Sequence, residues 1–267
     1  VVLGSGAGGF AAAATAARRG LKGLVVEKAE RFGGTSAISG GAVWLYGTDQ
    51  ARDAGAKDSP EAMRTYLKQV IGDGYDPALG DAFIEHGHQA LRWLEQNTEL
   101  RYALRPLSPD YYPDAPGATQ FGRALEMVEY DGKHLGTRFK DLQMPPPGML
   151  LFGGMMVNRV DIQHFLSIRR SPKSLWHCLK LMARYARDRL QHPRGTRLTT
   201  GNALIARLAT SAFAHGTQLW LRSEAVELIA EHGVITGVVV QREGRRERVM
   251  ARGGVVCAMG AVSYTHL

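Results

Sequence analysis

Apolar positions change rhythm three times along the chain. The first stretch is a short apolar run, Val1-Val2-Leu3, which stops at a glycine loop. Phe10 to Arg19 follows, alanine-rich and therefore helix-prone, because alanine loses least on entering a helix. Gly20 can stop that helix, and Leu24-Val25-Val26 reads as the next buried strand. Strand, glycine turn, helix and strand in this order form a βαβ opening, which predicts an α/β fold with a Rossmann-like core.

From Ser59 to Leu100 the spacing turns helical. Ser59-Pro60-Glu61 sets an N-cap before a proline at the first helical position, where no N–H is missed. A second helix is predicted over Pro77 to Glu95. Residues 101–160 are loop-rich, punctuated by Pro106, Pro109, Pro113, Pro116 and Pro145-Pro146-Pro147. Ser171-Pro172 opens another helix running to about Gln191, and Asn202 to His215 carries Leu204, Ile205 and Leu208 on one face. The last rhythm is that of strands: Leu219–Leu221, Ala225–Ala230, Val234–Arg242, Arg246–Ala251 and Val255–Ala258. His232-Gly233 and Glu243-Gly244 stand where tight turns belong. The expectation is one domain over residues 1–267, with residues 50–200 as a helical and loop insertion and a late β-meander.

Composition narrows the classes. With 45% hydrophobic and 22% charged residues the chain can bury a real core, which excludes disorder. Cys178 and Cys257 are far apart and outside metal spacing, which argues against a disulfide framework and a zinc site, and no metal is expected. The longest apolar run, Met149 to Val157, is far below the roughly 18 residues that span a bilayer. No signal peptide is visible, so a cytoplasmic location is expected; the chain opens on Val1 without methionine, which leaves a preceding leader open. The net charge of +8 has one source: between Arg169 and Arg197 nine Lys/Arg face a single acid, Asp188. Such a helix suits an anionic membrane surface or is a solvated face; nucleic acid is not expected, because no aromatic stacking platform accompanies the charge.

The chemistry begins at Gly4-Ser5-Gly6-Ala7-Gly8-Gly9. Gly4, Gly6 and Gly9 fill a G-x-G-x-x-G pattern, one glycine each for the tight turn, the approach of a pyrophosphate and the packing of helix on strand. The helix N-terminus behind them offers free N–H groups to phosphates. Glu27 ends the second strand, where its carboxylate can accept from a ribose diol, with Lys28 beside it. Gly33-Gly34-Thr35-Ser36-Ala37-Ile38-Ser39-Gly40-Gly41 then brings two glycine pairs and three hydroxyls. A loop of this kind can run along a long cofactor, whereas a plain nicotinamide domain would proceed to another helix.

The run from Val1 to Gly47 resembles the FAD-binding start of the fumarate reductase and succinate dehydrogenase flavoprotein superfamily, and within it the 3-ketosteroid Δ1-dehydrogenases most. Asp110-Tyr111-Tyr112-Pro113-Asp114-Ala115-Pro116-Gly117 with Gly122-Arg123 is similar to a segment of the ketosteroid enzymes, with Asp114 in place of the family's glutamate and Ala118 in place of its second glycine. Thr199-Thr200-Gly201-Asn202-Ala203-Leu204 and Gly254-Val255-Val256-Cys257-Ala258-Met259-Gly260 match two further stretches, the second resembling the strand that returns to the cofactor. The resemblance spans essentially the whole chain. It implies FAD as cofactor, held by Gly4, Ser5, Gly6, Ala7, Gly8, Gly9, Glu27, Lys28, Gly33, Gly34, Thr35, Ser36, Ser39, Gly40, Gly41, Val226, Ala258 and Gly260. After Gly260 the family pattern is lost, so residues 262–267 read as non-native, and the inserted substrate domain is expected to be absent.

The implied activity is α,β-dehydrogenation of a 3-ketosteroid-like ketone, with hydride transfer to flavin N5 and an external electron acceptor. Tyr111 best matches the family's tyrosine on the FAD domain, with Tyr112 as fallback; an aromatic packing a proline-rich loop is the plain alternative. A tyrosine serves as base only when its phenol is acidified or a relay assists it. His177, His192, His215 and His232 lack partner spacing and read as surface or core residues. Two other functions stay open: a fumarate-reductase-like enzyme, and a cofactor-binding module that is inactive as it stands.

Overall fold

The computed structural model describes residues 1–260; the reading of residues 262–267 as non-native falls outside them. The chain forms two compact units, one of Val1–Gly41 with the described residues from Glu129 onward, the other of Ala42–Val128.

The first unit opens with β1 (Val2–Leu3), α1 (Ala7–Arg18) and β2 (Leu24–Val26). The helix begins at Ala7 and not at Phe10 as expected, so two glycines of the loop lie inside its first turn. Gly9 permits this: a Cβ there would stand 2.0 Å from Gly4 O, so only a bare α-carbon lets the helix start that close to the strand. Next comes α2 (Gly34–Ala37). The stretch expected as a glycine-hydroxyl loop is thus folded around one helical turn. Gly33 turns the chain at φ +117°, and Ala37 N donates back to Gly33 O.

The second unit holds β3 (Val43–Trp44), α3 (Asp49–Asp53), α4 (Pro60–Ile71), α5 (Pro77–Asn97), β4 (Tyr102–Leu104) and β5 (Ala124–Met127). Its three strands form one antiparallel sheet in the order β3-β5-β4. The helix starts obey their capping residues: Thr48, Ser59 and Asp76 each accept a backbone N–H of the first turn. The loop-rich reading of 101–160 missed β4 and β5, whose partners are separated by a long excursion.

The first unit resumes with β6 (Tyr130–Asp131), a 3₁₀ run over Gly132–Asp141, β7 (Leu150–Leu151), β8 (Met155–Met156), α6 (Arg159–Leu166), α7 (Pro172–Arg189), β9 (Arg197–Leu198) and α8 (Thr200–Ala214). The chain closes with β10 (Gln218–Trp220), β11 (Ser223–Glu231), β12 (Val234–Arg242), β13 (Arg245–Met250) and β14 (Val256–Cys257). Three of these late strands, β11-β12-β13, make the expected antiparallel meander. Its turns use positive φ at His232-Gly233 and Glu243-Gly244, the primed geometry that matches strand twist. The other two leave the meander. β10 pairs parallel with β2, and β14 pairs parallel with β1, giving the order β10-β2-β1-β14. Under this sheet α8 packs against α1, and Phe10, Phe32 and Phe213 meet edge to face with centroids 5.5, 5.8 and 6.2 Å apart. Nearly all of α8 from Gly201 to Ala209 is buried, so its apolar character runs round the helix and is not confined to one face.

Candidate functional site

The three motif glycines have three separate reasons to be glycine. Gly4 turns the chain at φ +95°, and a Cβ on it would press within 2.5 Å of Ala258 O. Gly9 is held by the close contact with Gly4 O. Gly6 is different: a Cβ there would meet nothing nearer than Ser36 Oγ at 3.4 Å. Packing does not demand glycine at that position. An open cradle at the start of a helix does, if a ligand is to come near the backbone. No side chain caps α1 at Gly6, and no acid lies in its first turn. Ser36 Oγ accepts from Ala7 N at 3.1 Å, which leaves the hydroxyl proton to be donated outward. Gly8, Gly34, Thr35, Ser39 and Gly40 are all exposed around this mouth.

Behind the mouth the expected contacts change roles. Ser5 is wholly buried, and its hydroxyl donates to Glu27 Oε2 while accepting from Gly33 N at 2.9 Å. Its side chain ties the first glycine loop to the second through these two bonds. Glu27 is buried too, accepting from Ser5 N at 3.0 Å and from Ala29 N at 2.9 Å. A carboxylate has about four lone-pair sites, so capacity for a diol remains. Lys28 points into solvent. Val226 lies at an irregularity of β11, where Ala225 pairs with Val240 and Glu227 with Val239, so Val226 has no opposite number and is half exposed. Ala258 N donates to Leu3 O, fixing the end of β14 beside Gly4, and Gly260 lies exposed at φ +84°.

The segment from Thr199 to Leu204 has a task that spacing alone did not reveal. Gly201 N donates to Ser39 O, and a Cβ on Gly201 would fall 2.0 Å from Ser36 O. Gly41 faces the backbone of Thr200 just as tightly, at 2.4 Å. Asn202 Nδ2 donates to Ala37 O at 2.8 Å, and Arg194 donates to Asn202 Oδ1 at 2.9 Å. The N-terminus of α8 is therefore the seat on which the second glycine loop rests. Arg194 is buried, and that burial with Arg31 nearby pushes its guanidinium down to about 10.

In the second unit Tyr111 and Tyr112 stand on a loop with a rigid base. Asp110 is buried and accepts from Trp44 Nε1 at 2.7 Å, Thr119 N at 2.9 Å and Arg123 Nη1 at 2.8 Å. Arg123 also bonds both oxygens of Asp58 and the carbonyl of Gly117. Gly117 must be glycine, since it has φ +79° and a Cβ would stand 2.2 Å from Ala62 O. Tyr111 projects outward, 96% exposed, so it does not pack the proline-rich loop as the plain alternative held. The pairing of Asp110 with Arg123 joins the two ends of this segment.

His177 corrects its expected isolation. Its Nε2 lies 2.8 Å from Asp161 Oδ1, and its ring stacks on His164 at 4.2 Å, while His164 Nδ1 bonds Ser174 Oγ. Asp161 is buried, closes a capping box with Asn158 and pairs with Arg197 at 2.8 Å. This cluster ties α6 to α7. Among the described residues no group of three or more His, Cys, Asp or Glu could hold a metal ion, and no helix is long and apolar enough to cross a membrane.

The profile of a family described as FAD binding domain matches residues 1–266. The 3-oxosteroid 1-dehydrogenase of Mycobacterium tuberculosis is 33% identical over 99% of this chain and 47% of its own length. The 4-oxocyclohex-2-ene-1-carboxylate 5-dehydrogenase of Sinomonas cyclohexanicum is 35% identical over 98% of this chain and 44% of its own. Among solved structures, the 3-ketosteroid Δ1-dehydrogenase of Sterolibacterium denitrificans in complex with 1,4-androstadiene-3,17-dione superposes with a TM-score of 0.85 at 35% identity, covering 97% of this chain and 47% of that one. The fumarate reductase (cytochrome) of Shewanella frigidimarina is similar over only 35% of this chain. The chain spans about half the length of the curated relatives it matches.

Proposed function

The chain belongs to the FAD binding domain family, and on that footing we propose that it is the cofactor half of an enzyme that desaturates a cyclic ketone beside its carbonyl, with a 3-ketosteroid as substrate. The observation that carries the reading is the chain-long sequence likeness to 3-oxosteroid 1-dehydrogenases, against a sequence likeness to a fumarate reductase that covers about a third of the chain. On the cofactor side the open flank of Gly6 supports it.

In this proposal the free N–H groups at the start of α1 and the Ser36 hydroxyl hold the pyrophosphate, and Glu27 accepts from the adenosine ribose. Val226, unpaired in its strand, lies along the adenine end. Ala258 and Gly260 bring the returning strand to the cofactor. FAD bound there supplies a two-electron acceptor for the hydride leaving the carbon next but one to the carbonyl carbon, and an external acceptor restores it. Tyr111 takes the proton from the carbon adjacent to the carbonyl, so the substrate loses one proton and one hydride and gains a double bond. A base works best shielded from water, and at 96% exposure Tyr111 is proposed to be covered by substrate and by enzyme parts beyond this chain.

The test is anaerobic addition of substrate to the full-length flavoprotein while its visible spectrum is followed. A 3-ketosteroid is expected to bleach the flavin, and succinate is not. Bleaching by succinate and not by the steroid would transfer the protein to the fumarate reductase class. Bleaching by a 4-oxocyclohexanecarboxylate alone would keep the chemistry and replace the substrate.

A further inference from the structure

The outer face of α7 is built as two adjoining strips. At about 100° per residue, Leu175, Ala186, Leu179, Leu190, Ala183 and Trp176 follow one another around one arc, and Arg187, Lys180, Lys173 and Arg184 continue it. The opposite arc carries the buried Ser174, Cys178 and Asp188, which fix the helix to its own unit. Exposure agrees with this geometry: Trp176 is 65% exposed, and Leu175 and Leu179 are 44% each. Among the described residues Lys173, Lys180 and Arg187 have no acidic partner, nor have Arg169 and Arg170 just ahead of the helix. The one acid of the segment, Asp188, is turned inward onto Thr196 and Lys133. Arg184, at the far edge of the strip, pairs with Asp131 at 3.2 Å and Asp188 at 3.9 Å, but Lys173, Lys180 and Arg187 leave an open cationic strip beside an open apolar one among the described residues.

We propose that this face docks α7 flat on an anionic phospholipid surface, with Trp176, Leu175 and Leu179 entering the headgroup boundary and the cations meeting lipid phosphates. Trp favours that boundary because its ring is apolar while its N–H wants a partner. Lys and Arg beside it can lay their stems along the apolar strip and reach outward with their charge. Charge decides against a second copy of this face, since a two-fold contact would set like strips against each other. It also decides against nucleic acid, whose phosphates satisfy the cations but leave three large apolar side chains in water. The inference is independent of the ketone reading.

The experiment uses the full-length flavoprotein and cosedimentation with vesicles of phosphatidylcholine alone and of phosphatidylcholine with phosphatidylglycerol. Binding is expected to the mixed vesicles and to weaken with salt. Trp176→Ala with Leu179→Ala, and separately Lys173→Glu with Lys180→Glu and Arg187→Glu, should each lower the partition coefficient at least about tenfold. Because all five side chains are on the outer face, flavin content and circular dichroism should stay as in the parent. Parent protein left in the supernatant overturns the proposal, as does binding that neither variant changes. So does a parent that is dimeric by light scattering and becomes monomeric in the Trp176→Ala variant, or one that binds RNA but not mixed vesicles.

Discussion

Gly6 separates two kinds of glycine, and a pair of variants can tell them apart. Gly9→Ala forces a methyl against Gly4 O, so it is expected to destabilise the fold, read as a lowered Tm, before cofactor is considered. Gly6→Val meets only a hydroxyl, so the fold should survive while FAD binding in a titration is lost; retained binding would move the pyrophosphate elsewhere. Glu27→Ala removes the acceptor for Ser5 and Ala29 as well as for the proposed ribose. Bonds to a charged group are worth about 1.5–3 kcal/mol each, so FAD affinity should fall at least tenfold. Tyr111→Phe keeps its shape and exposure, so flavin content should not change, while kcat on a ketosteroid should drop by roughly 10²–10⁴. A variant as fast as its parent would pass the role to Tyr112. Residue identities in the glycine loops were readable because φ and contact distance admit so few alternatives. Sequence order did not show that the Ser5 hydroxyl faces inward, onto Glu27 and Gly33.

At the scale of elements, capping chemistry carried most of the correct reading. Ser59-Pro60 and Ser171-Pro172 mark their helices by local bonds that a sequence displays directly. The two-residue strands β6 and β9 display nothing of the kind, since each is paired by residues far away in the chain, and the short hairpin of β7 with β8 is too brief to show a strand rhythm. β10 and β14 look like neighbours of the meander in sequence, yet each joins the parallel sheet; composition does not reveal partnership. The cluster between α6 and α7 gives a pH test. Burial raises the Asp161 carboxyl, but the Asn158 N–H, His177 and Arg197 outweigh it and hold it below the ordinary carboxylate range. With the folded value below the unfolded one, its stabilisation is complete above about pH 4 and is lost as pH falls through the folded value. Tm should therefore decline below about pH 4 in the parent, and that decline should be shallower in Asp161→Asn. Equal slopes would remove Asp161 from the account.

For the molecule as a whole, FAD titration of residues 1–267 is expected to saturate while ketosteroid-dependent dye reduction stays absent, because relatives are about twice as long. Turnover by this chain alone would show that no further part is needed for the substrate. The parallel sheet has a consequence for synthesis. Val2 lies between Val25 and Val256, and Val1 and Gly254 share a hydrogen bond across 253 residues. A ribosome adding about 5–20 residues per second needs roughly 13–50 s to make that distance. Throughout that interval the outer edge of β1 has emerged without its neighbour, a row of unmet N–H and C=O groups open to any passing strand. β1 thus waits for a partner made 253 residues later, and a nascent-chain chaperone holding Val1 to Leu3 would shield that waiting edge.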